Sequence, residues 1–211
     1  MKRIIIEGIT GSGKSTIYKT IVDKLKSSEG SNFLFLNEYM TFRTFEKEVD
    51  IEDSSKNTFT NICSFIHWLT SIYVNADLQN TSRGHNEQLC CLMEGFHWNA
   101  YARGILSKET FCGIENEVNS LGFGIVFLAL SESEIKKRSV TETRQYRTSG
   151  WNKYLNTLGN SDDEIAKMFQ DRQKRFYDIY SGSKLNKILI NTDEKRWDQY
   201  AEQIIAFGEM L

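Results

Sequence analysis

The residues best suited to chemistry lie near the N-terminus, where the sequence reads GITGSGKS. Gly8, Gly13, Lys14 and Ser15 have the spacing G-x-x-x-x-G-K-[ST], and Gly11 adds a glycine inside the loop. In this pattern backbone N–H groups wrap an anion at the start of a helix, where unpaired donors and the helix dipole favour negative charge. The spacing therefore predicts a phosphate-binding loop.

The side chains of this loop have separate expected roles. Lys14 is expected to reach the terminal phosphates of a bound nucleotide, and the Ser15 hydroxyl is expected to ligate Mg²⁺. The predicted nucleotide-binding residues are Gly8, Gly11, Ser12, Gly13, Lys14, Ser15 and Thr16. The alternative is a glycine-rich turn that merely starts a helix, but an apolar strand before the pattern and a helix after it favour phosphate binding.

Two glutamates follow predicted strands on the acceptor side of the loop. Glu94 ends the apolar run 89–93, and Glu38 follows the short strand 33–36. Ligand groups gather at the C-terminal ends of parallel strands, so Glu94 can hold Mg²⁺ or face the acceptor. Glu38 can take the proton of a hydroxyl acceptor as a general base. A helix-capping acid at position 94 and a plain loop glutamate at position 38 are the alternatives.

Three arginines recur in a segment that we expect to form a lid over about residues 136–150. They are Arg138, Arg144 and Arg147. Phosphoryl transfer spreads negative charge over the moving group, and guanidinium donors on a closing lid would stabilise that charge and exclude water. The alternative is a solvated basic helix face.

Periodicity predicts the elements that position these residues. Strands are expected at 2–6, 33–36, 89–93, 124–130 and 187–190, and helices at 14–26, 58–78, 98–121, from 131 onward, 162–180 and 194–207. Strands that alternate with helices predict an α/β fold with a parallel sheet covered on both faces.

Composition sets the broad class. The chain has 211 residues, 40% hydrophobic and 26% charged, with a formal net charge of −2. This length favours one domain over residues 1–211, and the charge argues against a nucleic-acid-coating role. The first apolar run holds three isoleucines, too few for a signal peptide or membrane span, so we expect no membrane partner and a cytoplasmic location.

Taken together, these motifs resemble the thymidylate kinase and deoxynucleoside kinase branch of P-loop kinases. The resemblance rests on Ile6-Glu7-Gly8 before the loop, Glu38 after the second strand, Glu94 after the third, and an arginine-bearing segment after the fourth. It covers nearly the whole chain. It implies a P-loop NTPase fold with a five-stranded parallel sheet, ATP and Mg²⁺, an arginine-carrying lid and commonly a homodimer.

The resemblance divides between the two branches. Ile-Glu-Gly and Glu38 look like deoxynucleoside kinases, in which this glutamate is the base for the sugar 5′-hydroxyl, whereas Arg175-Phe176-Tyr177 looks like thymidylate kinases. In both branches an arginine follows the acid of the third strand, but this chain has Gly95 there. Arg43, Arg103 or a lid arginine could take its place.

The expected function is ATP-dependent phosphoryl transfer to a nucleoside or a nucleoside monophosphate. The expected catalytic residues are Lys14, Glu38, Glu94, Arg138, Arg144 and Arg147, with Ser15 and Glu94 as metal ligands. A kinase of another small molecule and a nucleotide-binding regulatory protein with little catalysis are the alternatives. A GTPase switch is disfavoured because the guanine-reading pattern Asn-Lys-x-Asp is missing from the sequence.

Overall fold

A five-stranded parallel sheet forms the centre of the protein. The computed structural model describes residues 3–26, 32–41, 64–72 and 89–211. The strands are β1 (Arg3–Gly8), β2 (Asn32–Leu36), β3 (Leu89–Glu94), β4 (Gly124–Ala129) and β5 (Asn186–Asn191). Their order is β2-β3-β1-β4-β5, and every neighbouring pair is parallel.

Helices connect the strands. They are α1 (Lys14–Lys26), α2 (Glu38–Thr41), α3 (64–72), α4 (His97–Ala102), α5 (Lys108–Ser120), α6 (Glu132–Ile135), a π-helix (Lys136–Thr141), α7 (Glu142–Tyr146), α8 (Ser149–Leu158), α9 (Asp162–Gly182) and α10 (Trp197–Met210). The segment from α6 to α8 contains the predicted lid.

Helices cover both faces of the sheet, as the alternation of elements predicted. The central strands are apolar throughout because both of their faces are buried, and all six residues of β4 are buried. One core lies between the sheet and α1 with α10, and includes Ile17, Ile21 and Ile204. The other lies on the opposite face and includes Phe111 from α5 and Phe169 from α9.

The sheet order puts the glycine loop at the centre of the fold. β1 lies between β3 and β4, so the chain leaves the sheet at a point where neighbouring connections run to opposite sides. In open α/β sheets such a switch point forms a crevice beyond the C-terminal strand ends. The loop, Glu94 and the segment after β4 therefore meet at one edge.

One predicted helix is interrupted. The prediction of a continuous helix over 98–121 was wrong, because α4 ends at Ala102 and α5 begins after the N-cap Ser107. Gly104 adopts a left-handed φ of +77° between them, a conformation that ends a helix and that glycine adopts readily. Ser107 then accepts a hydrogen bond from the Thr110 amide and starts the next helix.

Other boundaries shift by a few residues. The closing helix begins at Trp197 rather than at residue 194, and the last strand begins at Asn186. Of the helix predicted over 58–78, residues 64–72 are helical and the remainder lies outside the described residues. Arg43 also lies outside them. No helix in the described ranges is long and apolar enough to cross a membrane.

Candidate active site

The glycine loop connects β1 to α1 in the predicted strand–loop–helix context. Gly11 and Gly13 have φ values of +82° and +95°, which side-chain-bearing residues rarely adopt. A Cβ atom at Gly13 would also lie 2.5 Å from ring atoms of Trp197. Glycine is therefore required at position 13 by both backbone conformation and space.

Lys14 folds back over the loop. Its Nζ donates hydrogen bonds to the carbonyl oxygens of Gly8 at 2.8 Å and Ile9 at 3.2 Å, and its side chain is buried. An ammonium group has three donors, so one remains for a ligand. This places a positive charge at the mouth of the loop, where terminal phosphates of a nucleotide would lie.

Ser15 and Glu94 meet at the edge of the sheet. The Ser15 hydroxyl donates a hydrogen bond to the buried Glu94 carboxylate. The register explains their proximity, because Glu94 is paired with Ile6 of β1 just before the loop begins. Hydroxyl and carboxylate oxygens are the donors that Mg²⁺ prefers, so this pair fits the metal that the sequence predicted.

Glu7 is a buried acid that the sequence analysis quoted in a motif without giving it a role. Its Oε1 accepts hydrogen bonds from the amides of Phe96 at 2.9 Å and Trp98 at 3.1 Å, while its Oε2 has no partner among the described residues. Burial raises its pKa to about 8, although the two amides and the Lys14 charge act in the opposite direction. The sequence feature that could have identified Glu7 is an acidic residue within an otherwise apolar strand.

Glu38 faces the loop across a narrow gap. It begins α2 directly after β2, and Thr41 at the end of α2 donates a 2.7 Å hydrogen bond to the Glu94 carbonyl. A Cβ atom at Gly95 would lie 3.7 Å from Glu38 Cγ and 4.0 Å from Lys14 Cε. Glu38 and Lys14 therefore both lie next to Gly95.

A cavity of about 590 Å³ opens beside this cleft. We call it the arginine-lined cavity, because Arg103, Arg147 and Arg172 all line it. Its lining residues are Thr10, Glu38, Tyr39, Asn99, Arg103, Tyr146, Arg147, Thr148, Gly150, Trp151, Tyr154 and Arg172. The walls of the cavity are thus formed by residues of the glycine loop, α2, the predicted lid and α9, together with Asn99 and Arg103 at α4.

The three predicted lid arginines occupy different environments. Arg147 lines the cavity, and its guanidinium lies 4.3 Å from the Trp151 ring centroid. Arg144 instead pairs with Asp162 at 2.9 Å. Arg138 is buried beside the loop, where it donates a 2.5 Å hydrogen bond to the Thr192 carbonyl. The structure therefore brings one of the three to the cavity.

The π-helix rests directly on the glycine loop. Ser139 Oγ donates a 2.6 Å hydrogen bond to the Thr10 carbonyl, and Thr192 after β5 donates a 2.8 Å hydrogen bond to the Ser12 carbonyl. The Arg138 guanidinium lies 5.4 Å from the Trp197 ring centroid, beside Gly13. These contacts connect the predicted lid and the segment after β5 to the glycine loop, and no sequence motif marked them.

Sequence reasoning missed Arg172, which lies half-buried on α9. Burial lowers its pKa, the charges of Arg103 and Arg175 lower it further, and a hydrogen bond with Tyr154 acts in the opposite direction. Arg175, part of the predicted tail motif, instead donates a hydrogen bond to the Ala102 carbonyl outside this cavity. The sequence predicts only that both lie on one helix.

The chain is similar to known proteins in structure but not in sequence. No protein-family model matches the chain, and no curated protein matches it in sequence. The chain is similar to the YorR protein from Bacillus subtilis, solved in complex with phosphorylated GDP, with a TM-score of 0.58 and 17% identity. The match covers 99% of this chain and 96% of that chain. The chain therefore shares the overall fold of that protein.

Further similar structures include two of deoxyadenosine kinase from M. mycoides. The form with bound dATP has a TM-score of 0.47 and 13% identity over 97% of this chain and 99% of that chain. The form with bound dCTP has a TM-score of 0.46 and 14% identity over 97% and 98%. The predicted P-loop NTPase fold with a five-stranded parallel sheet is confirmed by the YorR match together with the strand order.

Proposed function

We propose that this protein transfers the terminal phosphoryl group of ATP to a nucleoside or a nucleoside monophosphate. One observation carries the proposal: Lys14 and Glu38 flank Gly95 where the glycine loop meets the arginine-lined cavity. A donor phosphate on the loop and an acceptor in the cavity would then be neighbours. Proximity of this kind is the main device of phosphoryl-transfer enzymes, together with electrostatic stabilisation.

The donor side would be formed by the loop and its flanking side chains. Backbone amides from Gly11 to Ser15 would wrap the phosphates, and the free donor of Lys14 would reach them. Ser15 and Glu94 would hold Mg²⁺, which when bound neutralises phosphate charge. Arg138 would add positive charge beside Gly13.

The acceptor side would be formed by the cavity. Glu38 and Arg147 both line this cavity. Glu38 would accept a proton from a hydroxyl acceptor, and Arg147 would stabilise negative charge on the transferred group. Residues of α7 and α8 line the cavity and would exclude water when the acceptor is bound. Arg144 would act through its ion pair with Asp162, by positioning the lid.

A coupled assay for ADP release tests this function. The protein would be given ATP and Mg²⁺ with a panel of nucleosides and nucleoside monophosphates. Release that depends on an acceptor supports the proposal, and Lys14→Ala should abolish it. Lys174→Gln is a matched control because this exposed lysine lies on α9 outside the cavity. ADP release without acceptor dependence, or none across the panel, would contradict a nucleoside or nucleotide kinase.

Three expectations about the whole protein accompany this function. We propose a homodimer, tested by light scattering, and a cytoplasmic location, tested by cell fractionation. We also propose that the partner is a small molecule rather than nucleic acid. A nucleic-acid gel-shift measurement with the nucleotide-free protein tests that exclusion, since a retained complex at physiological salt would contradict it.

A further inference from the structure

The arginine-lined cavity concentrates positive charge from three separate elements. Arg103 directly follows α4, Arg147 lies between α7 and α8, and Arg172 lies on α9. Among the described lining residues Glu38 is the one carboxylate. A cavity built only to hold an uncharged nucleoside has no need of three guanidinium groups.

Two of these three charges have no carboxylate partner in the part of the chain that the structure describes. Within the described residues Arg147 and Arg172 form no ion pair; Arg147 lies against the Trp151 ring, and Arg172 interacts with Tyr154. The charges of Arg103 and Arg175 act against that of Arg172. Like charges held together in a partly buried site are costly unless an anion binds between them. Guanidinium forks match the oxygens of a phosphate in charge and geometry.

Arg103 reaches the cavity from the same stretch of chain as Gly95. A Cβ atom at Gly95 would lie 4.0 Å from Asn99 Nδ2, and the Arg103 amide donates a 3.1 Å hydrogen bond to the Asn99 carbonyl one turn later. Asn99 and Arg103 both line the cavity. Arg103, eight residues after Gly95, therefore brings a guanidinium group to this cavity.

Aromatic side chains also line the cavity, so part of its surface is apolar. Tyr39 and Tyr146 line it and are 67% and 66% exposed, an unusual state for large aromatic residues. Trp151 and Tyr154 line it as well. Exposed rings beside a cationic pocket suit a ligand that has both a planar apolar part and an anionic part, as a nucleotide does.

Resting on the phosphoryl transfer proposed above, we propose that the acceptor is a nucleoside monophosphate whose phosphate binds between Arg103, Arg147 and Arg172. An oxygen of this phosphate forms a new bond to the γ-phosphorus of ATP. The bond between that phosphorus and the β,γ-bridging oxygen breaks, and ADP leaves with the bridging oxygen and its electron pair. The products are ADP and a nucleoside diphosphate.

The acceptor phosphate changes what is required of Glu38. The second pKa of a phosphate monoester is about 6, so the attacking oxygen is already ionised at neutral pH and no general base is needed. Glu38→Gln should then lower kcat less than tenfold. A hydroxyl acceptor would need the base, and the same substitution would cost roughly 100-fold or more. A loss of that larger size would overturn the proposal.

The direct test compares each deoxynucleoside with its monophosphate. Calorimetric titration without ATP measures binding, and ADP release with ATP·Mg²⁺ measures transfer. At least one monophosphate is expected to bind and to be phosphorylated at least tenfold better than its nucleoside. Arg147→Gln and Arg172→Gln are expected to raise the KM for this monophosphate roughly 10- to 100-fold, the range for losing a charge-assisted hydrogen bond.

Two checks make these variants interpretable. Lys174→Gln removes a positive charge from the exposed side of the same helix and should leave the KM unchanged. Circular dichroism must show native helix content in each arginine variant. If Arg172→Gln fails to fold, Arg147→Gln decides the question, because Arg147 lies at a helix junction and packs mainly on Trp151.

The outcomes separate this inference from the function on which it rests. Turnover with nucleosides but not with monophosphates would leave phosphoryl transfer intact and overturn the phosphate-bearing acceptor. An unchanged KM in both arginine variants would also overturn it. ADP release that no acceptor of either series stimulates would overturn the proposed function, and this inference with it.

Discussion

The Ser15 hydroxyl is hydrogen-bonded to the Glu94 carboxylate, so the first residues of α1 and the last residue of β3 are joined at the mouth of the glycine loop. The parallel pairing of β1 with β3 creates this contact, because it aligns Ile6 with Glu94. The two side chains supply a hydroxyl and a carboxylate oxygen side by side. Their contact connects the start of α1, directly after the glycine loop, to the end of β3.

Glu94→Gln should weaken Mg²⁺ dependence at this pair. The amide keeps an oxygen near Ser15 but loses the charge that favours a divalent cation, so roughly 10- to 100-fold more Mg²⁺ should be needed for half-maximal ADP release. A titration of Mg²⁺ at fixed ATP and acceptor measures this. Glu209→Gln, at an exposed acid on α10, is the control. An equal loss of rate at every Mg²⁺ concentration would contradict a metal role for Glu94.

Glu7 should make stability fall as the pH rises. Its pKa is raised from 4.5 to about 8 by burial, so between these values the folded state keeps a proton that the unfolded state has released. One such proton lowers the unfolding free energy by about 1.4 kcal/mol per pH unit. The contribution is therefore fully favourable below pH 4.5 and is lost as the pH approaches 8.

Glu7→Gln isolates this effect from other titrating groups. Glutamine keeps an acceptor for the Phe96 and Trp98 amides but cannot ionise. Urea unfolding at several pH values from 5 to 8 should show a shallower decline for the variant than for the wild-type chain. Parallel curves for the two proteins would show that Glu7 does not retain its proton in the fold.

Gly13→Ala should destabilise the protein more than Gly95→Ala. Both glycines have positive φ, which costs an alanine about 1–2 kcal/mol. At Gly95 the new methyl group would make ordinary contacts, but at Gly13 it would lie 2.5 Å from the Trp197 ring and add about 1–3 kcal/mol of overpacking. Denaturant unfolding of the two variants measures the difference.

A double-mutant cycle tests the cause at Gly13. If contact with Trp197 is responsible, Gly13→Ala should cost less in a Trp197→Ala background, and the coupling energy should be at least about 1 kcal/mol. Additive losses would mean that backbone strain alone explains the cost.

Gln173→Ala should destabilise the end of β4. The buried Gln173 amide accepts a hydrogen bond from the Leu130 N–H and donates one to the Leu130 carbonyl. Alanine would leave both buried backbone groups unpaired, so a loss of about 2–5 kcal/mol is expected in the unfolding free energy. Gln173→Glu retains one acceptor and should lose less at low pH than at high pH. Losses that do not change with pH would contradict this account of the contact.

Local patterns were sufficient to predict most of the strands and helices and the glycine loop between β1 and α1. The run of isoleucines in β1 and the glycine spacing after it predict strand, loop and helix, because the periodicity and the special backbone conformations are properties of neighbouring residues. Boundaries were less accurate. Apolar spacing predicted a helix that continues past Gly104, but α4 ends there. The spacing of apolar residues does not show that a single residue adopts a left-handed conformation.

Side-chain partners were beyond local patterns. Arg138, Arg144 and Arg147 lie within ten residues, yet one is buried beside the loop, one is paired with Asp162, and one lines the cavity. The π-helix contains Arg138 and changes the register of the two arginines that follow it, so a continuous α-helical spacing does not predict their relative directions. Arg172 comes from a helix far along the chain, and no motif connects it to the loop.

The sequence by itself determined the glycine loop between β1 and α1, the alternation of strands and helices, and the acids at the ends of two strands, because each depends on residues close together in the chain. Only the tertiary structure decided that Lys14 and Glu38 flank Gly95 and that Arg103, Arg147 and Arg172 share one cavity. These relationships depend on strand order and helix packing. Such long-range contacts are set by burial of the whole core, and they leave no fixed spacing in the sequence.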